Sequence, residues 1–470
     1  MTKCFRSDDL DQSLLMPPSL HDWLPENHLA RFVADLMGTL DLGAFYSSYE
    51  DKDGRGQAAY HPVMMVRLLL YGYCVGVMSS RQIEKRTYED VAFRYLSADE
   101  HPDHSTLNEF RKRHLGALAG LFFQALQLCQ KAGLVKLGHV AIDGTKLAAN
   151  ASKHKAMSYG RMSEAEEKLK AEIEELLARA EAVDVAEDEK QRQGQSEELP
   201  KELARRESRL KKIQEAKAEL EAEAREKAEQ EKAGVEARIA ARREQEQQTG
   251  KRMGGREPRV PDPEQAAPDA KAQRNFTDSE SRIMPDGAHK GSFVQAYNAQ
   301  IAVDSQAQII VAADITQDCN DKQQLAPLLE QVEKNTGAKP TAASADTGYC
   351  STEQITDKRV EGIDLHVATK RDKHGASPKS VRPSTEPPED ASVLEQMKKK
   401  LQGEAGRAVY KMRKAIVEPV FGQIKECRRF RRFSFRGRVK VQAEWKLVCL
   451  THNLLKLFRS GKGLQLQAAA

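Results

Sequence analysis

Two short runs decide how this chain is read: GHVAIDGTKLAANAS at residues 138–152 and PTAASADTGY at residues 340–349. In the first, Val140, Ala141 and Ile142 form a β-type apolar run that delivers Asp143 and then Gly144. In the second, a small-residue run ends in Asp346, with Gly348 two positions on. Each predicts a strand with an acid at its end. A single Asp after a strand says little, because Asp is common in turns. Two that both close such a strand and both precede Gly say more, since strands of one sheet end side by side.

The two aspartates are 203 positions apart, a long gap for neighbours in one sheet. From about 162 to 247 the composition turns to Glu, Lys, Arg, Ala and Gln. Apolar residues recur there at spacings of three and four: Met162, Leu169, Ile173, Leu176, Ala180 and Val183, then Leu199, Leu203, Leu210, Ile213 and Leu220. With the polar stretch DVAEDEKQRQGQSEELP between the arms, this predicts an antiparallel coiled-coil hairpin, and its mixed charge suits a solvated one. The Gly- and Pro-rich TGKRMGGREPRVPDPEQAAPDAKAQRN reads as linker. Removing residues 151–275 leaves 78 residues between the aspartates, enough for a hairpin, a helix and a strand.

Those elements are visible. SFVQAYNAQIAVD and SQAQIIVAADIT are β-rich runs around a turn at Asp304-Ser305, KQQLAPLLEQVEKN suits a helix, and DLHVATK a further strand. The order predicts an α/β (α+β) fold, a mixed sheet with helices packed on it. Residues 371–391, with four prolines, read as a second linker. Before residue 137, ENHLARFVADLMGTL, HPVMMVRLLLYGY and LGALAGLFFQALQLC carry apolar residues at helical spacing. Ser79-Ser80 and Ser105, the latter with Glu109, are candidate helix starts. Arg81, Lys85, Arg86, Arg111, Lys112 and Arg113 on these short helices suit either a helix-turn-helix against DNA or a solvated basic face.

At 470 residues the chain has room for about three domains. The longest apolar stretch, Val63 to Met78, is 16 residues and contains Arg67, short of the roughly 20 that a bilayer span needs. With no secretory signal at the N-terminus, a cytoplasmic protein is expected. Seven cysteines without a C-x-x-C pair argue against zinc or a disulfide framework and for reduced, buried thiols. Dispersed histidines leave oxygen ligands and a hard cation as the metal option.

Net charge is +4, but it is segregated: from Lys398 onward 19 basic residues face 4 acidic ones, a net of +15, so the rest carries −11. That points to a C-terminal part that binds a polyanion. Within it lies a third acid, Glu418, in AIVEPVFGQIK, where an unpaired ionised carboxylate is costly to bury. An ion pair with Lys414 or Lys425 and a functional role suit it equally. Pro419 should kink or shorten the helix. In CRRFRRFSFRGRVK, Phe430, Phe433 and Phe435 alternate with Arg428, Arg429, Arg431, Arg432, Arg436 and Arg438. The arginines suit phosphates; the rings either stack on unpaired bases or anchor the segment to the core. Trp445 and the apolar positions of EWKLVCLTHNLLKLF read as core, and His452 as structural.

These pieces, in order, resemble bacterial insertion-sequence transposases of the DDE class. HPVMMVRLLLYGYCVGVMSSRQIE and PDHSTLNEFRKRH look like their helical N-terminal domain; VAIDGTKLAANAS, GSFVQAYNAQIAVD, SADTGY and VEPVFGQIK look like successive pieces of their ribonuclease-H-like core. The resemblance spans nearly the whole chain. It implies a helical DNA-binding domain at 1–137, a first piece of core at 138–160, the hairpin insertion at 161–248, linker at 249–275 and the remaining core with its basic segment at 276–470.

It further implies Asp143, Asp346 and Glu418 as the catalytic, metal-holding triad. A Tyr, an Arg and a Lys around the glutamate contact DNA in relatives. Lys425 matches the lysine, whereas Tyr410 and Arg413 sit one residue further from Glu418 than usual and Lys411 and Lys414 fill the usual offsets. Three carboxylates suit two Mg²⁺ ions about 3.5 to 4 Å apart, with Mn²⁺ as a substitute. The implied reaction is cleavage and strand transfer on double-stranded DNA at the element ends and a target. It uses no nucleotide and no membrane, and a homodimer or larger assembly forms on DNA. The alternatives are a related nuclease that cuts without joining, or an inactive transposase-derived DNA-binding or coiled-coil protein.

Overall fold

The computed structural model describes residues 19–50, 59–187, 198–249, 258–287, 289, 291–369 and 392–462. The second linker, the tip of the long hairpin and Cys4 lie outside the described residues.

Seven helices come first: α1 (Leu29–Leu36), α2 (Gly43–Glu50), α3 (Pro62–Val75), α4 (Ser80–Glu89), α5 (Val91–Leu96), α6 (His104–Arg113) and α7 (Leu115–Lys131). Pro62 opens α3 in the first turn, where its missing N–H costs nothing, and Gly76 closes it in the left-handed conformation. Ser79 does precede α4, without a side-chain cap bond. The start of α6 differs from expectation. Its cap is Asp103, whose carboxylate accepts from the amides of Ser105 and Thr106 at 2.8 and 3.0 Å, so Ser105 lies inside the helix. An ionised cap meets two orphan amides and the helix dipole at once.

The sheet contains β1 (His139–Ala148), β4 (Arg282–Pro285), β5 (Phe293–Asp304), β6 (Ile310–Thr316), β7 (Ala342–Ala345) and β8 (Asp364–Val367), while β2 (Ala156–Ser158) and β3 (Gln273–Asn275) form a separate pair. The strand order is β4-β5-β1-β7-β8, with β6 also on β5. β1 runs antiparallel to β5 and parallel to β7, and β7 runs parallel to β8. Val140–Ile142 of β1 and Ala343–Ala345 of β7 are fully buried, as expected where both faces of a parallel pair are covered. β3 lies within the stretch read as linker, and that part of the reading is corrected.

Between β2 and β3 run α8 (Tyr159–Glu187) and α9 (Glu198–Thr249). Tyr159 bonds Glu221 at 2.7 Å, Lys217 bonds Glu166 at 3.1 Å and Arg206 bonds Glu172 at 2.9 Å, so the two helices run antiparallel. Met162, Leu169, Ile213, Ala216 and Leu220 form their shared apolar seam, apart from the main core.

α10 (Leu325–Thr336) lies between β6 and β7 and α11 (Thr352–Ile355) between β7 and β8, and α12 (Val393–Gln402), α13 (Glu404–Gly422) and α14 (Arg438–Arg459) follow the last strand. Pro419 sits inside α13, which widens into a π-helical turn over Gln423–Cys427. One apolar core runs from α1 through the sheet to α14, with Trp445 fully buried. A buried polar chain ties the N-terminal helices to it: Arg111 donates to the Tyr73 hydroxyl at 3.1 Å, Tyr73 to Glu444 at 3.2 Å, and Glu444 accepts from the Ser434 amide at 2.8 Å. Arg111 is therefore an internal tie, not part of a DNA-facing surface. His452 is structural, held between Gln423 and the Gln308 carbonyl. Cys74, Cys129 and Cys449 are buried, but Cys319 and Cys427 are exposed, against expectation. Among the described residues no single helix is long and apolar enough to cross a membrane.

Candidate active site

Asp143 is in the middle of β1, not at its end, because β1 continues to Ala148 along its antiparallel partner β5. What ends there is β7. The parallel register pairs Ala141 with Ser344, so two residues further on Asp143 stands level with Asp346, where β7 gives way to a turn. Side chains two apart on a strand share a face. Register therefore brings the two carboxylates together on the face covered by α13.

Asp346 accepts from the Gly348 amide at 2.8 Å and so caps its own turn. Asp143 bonds the Gly144 amide at 2.9 Å and receives Nη1 of Arg413 at 3.0 Å. Burial pushes the Asp143 carboxyl up to about 6, and the Asp346 charge pushes the same way against the pull of Arg413. Arg413 is buried, with the Tyr410 ring 5.9 Å away, whereas Lys411 and Lys414 are exposed. Of these basic residues on α13, Arg413 is the one that bonds an aspartate of the pair. Lys425 is half-buried, donates to the Thr145 hydroxyl and lies near the Phe421 ring.

Glu418 stands apart. It follows Arg413 by five residues, about 140° of helix rotation, so with Arg413, Val417 and Val420 turned inward it is exposed. It makes no hydrogen bond or ion pair with Asp143, Asp346, Lys414 or Lys425 among the described residues. The premise that it is buried is corrected, and the π-helical turn interrupts the seven-residue spacing that would pair it with Lys425.

A third carboxylate that no sequence pattern marks stands near the aspartates. Asp321, between β6 and α10, accepts from Asn298 Nδ2 and Gln300 Nε2, each at 2.7 Å. Gln300 in turn accepts the Tyr349 hydroxyl proton. QDCNDKQQ carries no apolar run to mark Asp321; the only sequence signal was Gly beside each aspartate, whose missing side chains make room for it.

The basic segment separates by side. Phe430, Phe433 and Phe435 are buried, which settles the rings as anchors. Arg428 is buried as well, donating to Thr451 Oγ1 at 2.7 Å and the Val448 carbonyl at 3.1 Å, so its assignment to DNA is corrected. Arg429, Arg431, Arg432 and Arg436 are exposed. Arg431 pairs with Glu426 at 2.6 Å, while Arg432 and Arg436 brace the carbonyls of Ala149 and Asn150.

The oxygen-only donors of Asp143 and Asp346 fit a hard divalent ion, and positive charge there would offset the burial, and the added Asp346 charge, that raise Asp143. Among the described residues, no three His, Cys, Asp or Glu side chains stand close enough to enclose one.

Comparison with protein families matches residues 18–113 to a "Transposase domain (DUF772)" and residues 261–454 to a "Transposase DDE domain". Asp143, α8 and α9 lie between the two matches, while Asp346 and Glu418 lie inside the second. Comparisons with curated proteins and with solved structures gave no match. Two transposase domains in this order, with one of the register-matched aspartates between them and the other inside the second, place the chain: it belongs to the insertion-sequence DDE transposases, enzymes of metal-dependent DNA cleavage and transesterification.

Proposed function

We propose that this transposase binds the terminal inverted repeats of its element as double-stranded DNA and uses Asp143, Asp346 and Glu418 to cut and rejoin strands. The observation that carries the reading is the level placement of Asp143 and Asp346 on adjacent parallel strands. The strand order β6-β5-β1-β7-β8, three antiparallel then two parallel, supports a ribonuclease-H-like core. The break between the two family matches supports α8 and α9 as a coiled-coil insertion into that core, behind a helical N-terminal DNA-binding domain at 1–137.

Mg²⁺, as two ions with Mn²⁺ as substitute, supplies the activation of the attacking oxygen and the stabilisation of the leaving one. Asp143 and Asp346 provide the oxygen ligands, and Glu418 on α13 completes the set when DNA is bound. Arg413 holds Asp143 in place and balances its charge. Lys425, with Arg429, Arg431, Arg432 and Arg436, contacts phosphates along the strand being cut. Two element ends must meet, so the working unit is a homodimer or larger.

A supercoiled plasmid carrying the element ends, incubated with protein and Mg²⁺, tests this. Strand-transfer products are expected. Cleavage without transfer would replace the reading by a nuclease, and no cleavage by an inactive DNA-binding descendant.

A further inference from the structure

Asp143 has a resident cation. Its Oδ1 accepts from the Gly144 amide at 2.9 Å and its Oδ2 receives Nη1 of Arg413 at 3.0 Å, so each oxygen has a partner supplied by the chain. A Mg²⁺ ion sits about 2.1 Å from a ligand oxygen. An ion on Oδ2 would therefore lie within about 5 Å of Nη1, the most that bond and the 3.0 Å contact allow when laid end to end. Water screens little there, because Arg413 is only 7% exposed. Charges of +2 and +1 at that distance in a protein interior repel strongly. The ion and the guanidinium thus compete for Asp143.

Arg413 is also poorly satisfied where it stands. A guanidinium offers five donors in a planar fork. Among the described residues only Nη1 is bonded, to Asp143, and Nε is buried without an acceptor. One ion pair leaves this side chain ready to exchange its carboxylate for an acceptor that fills more of the fork. A phosphate is such an acceptor, since its several oxygens pair with arginine through two parallel hydrogen bonds.

We propose that Arg413 gates the site: paired with Asp143 it opposes entry of the divalent ion, and a DNA phosphate arriving at the site releases Asp143 by drawing the guanidinium away. Ion loading is thereby coupled to substrate, and each tightens the binding of the other by the same factor. This inference rests on Asp143 and Asp346 being the ion-holding pair.

The test is binding of Mn²⁺ to the full chain, followed by electron paramagnetic resonance with and without a duplex carrying the element end, and with melting temperature as a check on folding. Asp143→Asn should weaken binding; if it does not, the ion-holding reading itself fails. Given that loss, Arg413→Met, similar in length and uncharged, should bind Mn²⁺ without DNA about tenfold tighter than the parent, the scale of one charged hydrogen bond that no longer has to be given up. A gain of affinity is what a merely structural role would not produce. Each affinity is read on the plateau of that protein's pH profile, so that protonation of Asp143 does not hide the gain. If Arg413→Met melts below the assay temperature, Arg413→Gln takes its place with the same expected direction. The duplex should tighten Mn²⁺ binding more in the parent than in Arg413→Met, since only the parent has a guanidinium to draw off. Lys425→Met is the control: Lys425 bonds Thr145 rather than an aspartate, so its loss should raise the affinity less. Unchanged or weaker binding in Arg413→Met, an equal effect of the duplex on both proteins, or an equal gain from Lys425→Met overturns the gate. The last outcome assigns the effect to positive charge in general rather than to the Asp143 contact.

Discussion

Asp143 and Glu418 are both carboxylates that the family resemblance puts in one triad, yet the fold treats them in opposite ways. Asp143 is clamped by the pairing of β1 with β5 and β7, crowded by Asp346, and pinned by Arg413. Glu418 stands on the outer side of α13 with no bonded neighbour among the described residues. A strand in the middle of a sheet fixes its side chains through two ladders of hydrogen bonds. A helix fixes only its own periodicity, and where it faces depends on packing that a short rotation changes. The sheet-borne acids are therefore held level by strand register, while the position of the helix-borne one depends only on how α13 is rotated.

The largest expected effect tests whether the two belong together. Asp143→Asn, Asp346→Asn and Glu418→Gln should each reduce cleavage of element-end DNA by more than about a thousandfold, the scale of losing an essential charge at the reacting centre. DNA binding measured by gel shift should persist. A Glu418→Gln protein that cleaves at the parent rate would break the triad and leave the aspartate pair alone.

Next comes pH. With the Asp143 carboxyl pushed up to about 6, protonation below that value removes a ligand, so Mn²⁺ affinity should be level above it and fall roughly tenfold per pH unit below. Glu418→Gln should leave that profile in place, while Asp143→Asn should flatten it.

Stability separates the two acids by sign. Asp143 has a folded value raised above its ordinary 3.8, so its ionisation costs the folded state progressively between about 4 and 6 and fully above. The cost is on the order of 2–3 kcal/mol. Asp143→Asn should accordingly melt higher than the parent at pH 7.5, with the gap closing toward pH 4; Glu418→Gln should melt as the parent does. Equal melting of all three proteins at pH 7.5 would show that Asp143 is not strained by its surroundings.

The smallest effect concerns the arginines. Arg429→Ala should lower the slope of log binding constant against log salt by about 0.9, one phosphate's worth, without changing the melting temperature. Arg428→Ala should do the reverse, because its buried guanidinium holds Thr451 and Val448 rather than phosphate.

Much of this was legible beforehand. Apolar runs and turn residues marked β5, β6 and β8 and the antiparallel helices α8 and α9, since those signals are local. The strand-end reading of Asp143 was half right: the apolar run VAI marks where the core ends, but β1 continues because β5 keeps pairing with it. Pairing belongs to the partner strand, so it cannot be read from one segment. For the same reason PDHSTL misled at α6, where Asp and Ser are both good caps and only the bonds to Ser105 and Thr106 decide between them. CRRFRRFSFRGRVK has the right alternation, yet Arg428 breaks it by turning inward to the Val448 carbonyl and the Thr451 hydroxyl of α14.

By itself the sequence determined most of the element types, the segregation of charge, the two long antiparallel helices and the two aspartates, all of which depend on neighbours within a few residues. Only the tertiary structure decided that Asp143 and Asp346 stand level, that Arg413 rather than Lys414 reaches them, and that Glu418 faces outward. It alone brought in Asp321. Strand register, helix rotation and the space left by two glycines are relations between distant segments, set by which surfaces bury each other, and no stretch of chain carries them alone.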